Sequence, residues 1–173
     1  TYSPGEAATN GFGIAVIPPP LSVEVAGNTI SFSGADNTNT AGITSEAGIG
    51  ASELDLNVHD NTVSGLEDGG EFHQCEPTLE ACSTGSFSTI RAVSNNLSNN
   101  VNGITFFGPI DDPVTPLVSP IEVHHNRFFG NTTGLSNETS SGGDTFNPIL
   151  ILAENNWWGC NAGPGDVDVD CDT

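Results

Sequence analysis

Carboxylates are the side chains here with the most obvious capacity for chemistry: 22 Asp and Glu among 173 residues, against two arginines and no lysine. Asp111-Asp112 is the one pair of adjacent aspartates. Hydrolysis of a glycosidic bond needs two carboxylates, one of them held protonated. This pair lies in the stretch GPIDDPVTPLVSP, its two side chains point apart, and no His-Gly or Arg-x-Lys element follows it. A lyase needs a base and cationic groups to hold the charge that develops on its substrate. Two arginines supply little of that, and a formal net charge of −20 repels a polyuronate unless calcium intervenes. No catalytic residue is therefore assigned, and a polysaccharide lyase or hydrolase is the runner-up reading.

The best metal candidate is the run Asp166-Val167-Asp168-Val169-Asp170-Cys171-Asp172. In a strand, Asp166, Asp168, Asp170 and Asp172 share one face. Oxygen ligands suit calcium, the one cofactor this chain brings forward. The run lacks the glycine and the final glutamate of an EF-hand loop, and alternate aspartates stand about 7 Å apart. The competing reading is an edge strand whose like charges discourage aberrant pairing. His59 and His124 fall at equivalent repeat positions two units apart, about 9–10 Å, which is too far to share an ion. With His73 and His125 they are expected on the surface without a role.

Four cysteines form two local pairs, Cys75/Cys82 and Cys160/Cys171, with no zinc-finger spacing. Two disulfides are expected, and with them an oxidising, extracellular setting. The acidic surface excludes nucleic acid as a partner. No run of about 18 apolar residues is present to insert into a membrane. Methionine is absent, so a processed product or an excised piece of a longer chain is expected. The sequons at Asn96, Asn131 and Asn137 are no more than 18 asparagines among many Ser and Thr would produce by chance.

All these groups must be positioned by a repeat. Asn28, Asn61, Asn95, Asn126 and Asn156 recur at intervals of 33, 34, 31 and 30 residues. Two residues after them stand Ile30, Val63, Leu97, Phe128 and Trp158; three before stand Val25, Val58, Ala92, Val123 and Ala153. The unit apolar-x-apolar-x-x-Asn-x-apolar is a short period-two strand running into a turn. Self-similarity at such a period marks a solenoid, whose units bury their apolar faces only by stacking. A second element, Gly42-Ile43, Gly103-Ile104 and Gly134-Leu135, reads as a further strand entered through a glycine turn that tolerates positive φ, with an earlier copy at Gly13-Ile14. Segments 67–89, 108–120 and 136–147 read as insertions.

Stacking about 4.8 Å apart predicts neighbours. Arg91 should pair with Glu122 and Arg127 should lie over Trp157, each one unit apart. The asparagines either stack amide on amide or take the left-handed turn conformation, or both, in a structural rather than ligand-binding role.

The coils resemble right-handed parallel β-helix repeats, the pectate-lyase-like superfamily in its non-catalytic, secreted surface-protein form. The closest likeness is Glu154-Asn155-Asn156-Trp157-Trp158-Gly159-Cys160-Asn161-Ala162-Gly163-Pro164. Its Asn-Asn-Trp-Trp-Gly run followed by Gly-Pro is similar to the ending of such domains. The resemblance implies an all-β, right-handed parallel β-helix of about five to six coils with little helix. It is one domain over 1–173: a partial coil over 1–22, repeated coils over 23–160 and an acidic strand over 161–173. It carries over no catalytic residue. A polar capping helix is missing from the pattern, so end-to-end self-association or neighbouring coils of a longer surface protein are the expected partners, with a glycan as a further candidate.

Overall fold

The computed structural model describes residues 11–16, 22–47, 54–74, 87–107, 121–138 and 150–159. They form an all-β parallel solenoid with no helix among the described residues. Four uninterrupted stretches each lay one strand in each of three sheets. These are β2 (Ser22–Ala26), β3 (Thr29–Ser31) and β4 (Thr40–Ala47); then β5 (Leu54–His59), β6 (Thr62–Ser64) and β7 (Asp68–Gln74). The next are β8 (Phe87–Val93), β9 (Asn96–Ser98) and β10 (Asn102–Phe107); then β11 (Ile121–His124), β12 (Arg127–Phe129) and β13 (Thr133–Glu138). β1 (Gly11–Val16) precedes them, and β14 (Ile151–Leu152) and β15 (Trp157–Trp158) follow.

The first sheet runs β2-β5-β8-β11-β14, the second β3-β6-β9-β12-β15 and the third β1-β4-β7-β10-β13. All pairings are parallel, and the register matches equivalent repeat positions, as in Ile30↔Val63, Val63↔Leu97, Leu97↔Phe128 and Phe128↔Trp158. Period-two alternation turns one set of side chains inward. Val63, Leu97, Phe128 and Trp158 are buried, as are Val25, Val58, Ala92 and Val123 from the first sheet and Ile43, Phe72, Ile104 and Phe106 from the third. At its C-terminal side the core stacks the Phe128 ring on Trp158, with centroids 4.8 Å apart.

Three sequence expectations are corrected. The stretch 67–89 is not all insertion, because β7 occupies Asp68–Gln74 and β8 begins at Phe87. Likewise β13 continues to Glu138, three residues into the segment read as insertion from 136. The interior glycines of the third sheet are also not positive-φ turns: those lie at Gly27, Gly65, Gly130 and Gly159. Gly13, Gly42, Gly69 and Gly103 instead face the second sheet, where an added Cβ would overlap Ile30, Val63 and Phe128 at the first, second and fourth and press tightly on Leu97 at the third. They form a column that lets two sheets approach closely.

The stretches 48–53, 75–86, 108–120 and 139–149 each separate a third-sheet strand from a first-sheet strand.

Candidate functional site

The turn between the first and second sheets is built on the asparagine column. Asn28 N–H donates to Asn61 Oδ1 at 3.0 Å, Asn61 to Asn95 at 3.1 Å, Asn95 to Asn126 at 2.9 Å and Asn126 to Asn156 at 2.8 Å. The same Oδ1 atoms also accept from the preceding Nδ2, at 3.0, 2.9, 3.0 and 3.1 Å. Nδ2 of Asn61, Asn95, Asn126 and Asn156 further donates back to the carbonyls of Val25, Val58, Ala92 and Val123. Burial is near total for Asn61, Asn95 and Asn126, and each buried amide has its partners. Of the two asparagine readings, amide stacking is the one observed. Positive φ falls one residue earlier, at Gly27, Asp60, Ser94, His125 and Asn155.

A second ladder stands at the turn between the second and third sheets. Asn100 N–H and Nδ2 donate to Asn131 Oδ1 at 2.9 and 3.2 Å, and Leu66 N–H donates to Asn100 Oδ1 at 3.1 Å. Here too a positive-φ residue precedes each member: Gly65, Asn99 and Gly130. Asn131 is buried in this ladder, which sets it apart from the exposed Asn137. Sequence reading missed it because two asparagines and a leucine make no visible column; the Asn99-Asn100 and Gly130-Asn131 pairs were the available signal.

The outward faces differ sharply. On the first sheet, Arg91 Nε reaches Glu122 Oε2 at 2.7 Å, as expected. That hydrogen bond lowers the Glu122 pKa and raises that of Arg91. His59 is not idle: its Nδ1 lies 2.8 Å from Asp60 Oδ2 and its Nε2 lies 2.7 Å from Glu24 Oε1. The Asp60 bond, then the Glu24 bond, raises its pKa above the ordinary value. His59 and His124 do share a column, with Val93 between them.

The second sheet presents no carboxylate along its strands. Its outward residues are Thr29 and Ser31, Thr62 and Ser64, Asn96 and Ser98, Arg127 and Phe129, then Trp157. Arg127 lies over the Trp157 ring at 4.7 Å, as expected. Phe129, which the sequence reading did not include, stacks on Trp157 at 5.9 Å and lies 5.6 Å from the same guanidinium.

Among the described residues no cluster of three or more His, Cys, Asp or Glu is arranged to hold a metal ion. Asp166, Asp168, Asp170 and Asp172, the pair Asp111-Asp112, and Cys75, Cys82, Cys160 and Cys171 all lie outside the described residues. Comparison with protein-family models, with curated proteins and with solved structures finds no match. The fold and its ladders define the class, a parallel β-solenoid.

Proposed function

We propose that this chain is a non-enzymatic structural module of an extracellular assembly, in which solenoids stack head to tail. One observation carries the reading. Among the described residues β1, β2 and β3 pair on one side only at one end of the stack, and β13, β14 and β15 do so at the other. Open strand edges bind through main-chain hydrogen bonds, and a heterologous contact of this kind propagates. The reading includes right-handed winding in about five to six coils, kinship with non-catalytic pectate-lyase-like surface proteins, secretion, and disulfides Cys75–Cys82 and Cys160–Cys171. Light scattering and electron microscopy of the purified chain over a range of concentrations test it. Monomers throughout would sink it.

A second reading, a glycan-binding module, is favoured by the carboxylate-free second sheet. In a protein of net charge −20, that face gathers hydroxyls, one of only two arginines and the exposed Phe129 ring. Affinity electrophoresis in neutral polysaccharide gels should show retardation that Trp157→Ala weakens. Unretarded migration in every polysaccharide tried removes this reading. The same gels run with EDTA decide whether calcium contributes.

A further inference from the structure

We infer that His124 and His125 form a two-imidazole site for a divalent metal ion that prefers nitrogen, zinc or copper rather than calcium. Adjacent residues of a strand point to opposite faces, so a His-His pair within one could not close on a single ion. This pair stands instead where β11 ends and the chain turns toward β12. His125 has a φ of 56°, the left-handed conformation that Gly27, Asp60, Ser94 and Asn155 take at the equivalent place. The turn brings the two rings together, tilted by 57° with their centroids 6.3 Å apart. Another copy of the turn shows the same gathering of consecutive side chains. His59 stands two units before His124 in one column, and its Nδ1 lies 2.8 Å from Oδ2 of Asp60.

The tautomer of His124 is set by its neighbour. Its Nδ1 lies 3.2 Å from the carbonyl oxygen of Glu154. A carbonyl only accepts, so Nδ1 carries the proton and the neutral ring keeps its lone pair on Nε2. Metal-bound imidazoles are held in this way, one nitrogen donating to a backbone carbonyl or carboxylate while the other binds the ion. His125 is exposed, and no hydrogen bond or ion pair engages its ring among the described residues. The pair thus has a free nitrogen on each ring. His59 provides the contrast, since Asp60 and Glu24 occupy both of its nitrogens.

The separation of the rings suits one shared ion. Zinc–nitrogen bonds of about 2.0–2.1 Å place the metal about 3.2 Å from the centroid of each ring it binds. Two such rings stand about 5.2 Å apart at a tetrahedral angle, and up to about 6.4 Å as the angle opens. The observed 6.3 Å lies inside that limit, and a shift of about 1 Å by the exposed His125 ring reaches the tetrahedral value. Imidazole suits zinc and copper, whereas calcium and magnesium take oxygen. No third His, Cys, Asp or Glu of the described residues joins the pair, so water completes the coordination. A net charge of −20 concentrates divalent cations at the surface and favours their capture.

The test titrates zinc into the full chain by isothermal calorimetry, with excess calcium present to occupy the carboxylates. His124→Asn keeps an amide that donates to the Glu154 carbonyl but removes Nε2. His125→Asn suits the left-handed turn and removes the second imidazole. Both variants should melt at the native temperature without metal. Each should weaken the strongest zinc site by at least about tenfold, no less than the loss of an outer-shell partner costs. His59→Gln should leave that site unchanged. Copper(II) bound to the native chain should show two imidazole nitrogens by pulsed electron paramagnetic resonance, and one in either variant. Native affinity in both variants overturns the site. A loss confined to one of them also overturns it, because a lone surface imidazole would then account for the binding. Should a variant melt lower than the native chain, the native copper spectrum decides: two imidazoles on one ion support the pair, and fewer exclude it.

Discussion

Asn61, Asn95, Asn126 and Asn156 each meet three demands at once: each satisfies the main-chain N–H of the preceding turn, that turn's own amide, and a carbonyl of the neighbouring strand. Aspartate cannot donate, and alanine does neither task. Asn95→Ala leaves the Asn61 N–H and the Val58 carbonyl without these partners in the interior. At roughly 1–3 kcal/mol for each stranded group, a loss of at least about 2 kcal/mol is expected in urea denaturation. A midpoint within error of the native chain would show that water replaces the amide. His59 makes a contribution of opposite pH sense to a buried acid. Its folded pKa lies above the ordinary 6.5, so its bonds to Asp60 and Glu24 stabilise fully below that value and weaken as pH rises through the folded value. The melting temperature should fall across that interval, and His59→Gln should remove the step. An identical pH profile in the variant would assign the effect elsewhere.

At the scale of the strand, the first two sheets were legible because their period-two pattern and the invariant turn repeat together in every unit. Ile30 through Trp158, Arg91 with Glu122, and Arg127 with Trp157 all fell into place from spacing alone. The third sheet was less legible. Gly69 follows Asn61 at the same eight residues as Gly103 follows Asn95, but Gly70 stands where the other copies carry an aliphatic, so β7 was hidden. Gly42 was displaced by the longer stretch after β3. The role of these glycines was also beyond pattern reading, since a lack of space and a positive φ leave the same letter in the sequence. The contacts distinguish them by experiment. An added Cβ at Gly103 meets Phe128 and the Gly134 carbonyl, whereas one at Gly11 meets Thr40 Cγ2 at an ordinary 3.5 Å. Gly103→Ala should cost about 1–3 kcal/mol by overpacking, and Gly11→Ala close to nothing, in thermal or urea melts. Equal costs would mean that the sheets are free to separate.

For the whole molecule, 22 carboxylates against two arginines repel one another with little to offset them. Raising NaCl from about 0.05 to 1 M shortens the screening length from more than 10 Å to about 3 Å. The melting temperature should rise by a few degrees, roughly, although the Arg91–Glu122 pair weakens under the same screening. A flat or falling response would point to carboxylates already neutralised, by bound cations or by one another. The strand count has a further consequence. Among the described residues each sheet holds five strands, so copies stacked head to tail as proposed would advance by five strand spacings. In a drawn fibre the strand spacing should scatter on the meridian near 4.8 Å, and the pair Trp157-Trp158, arriving once per copy, should add a fainter order near 24 Å, five times as long.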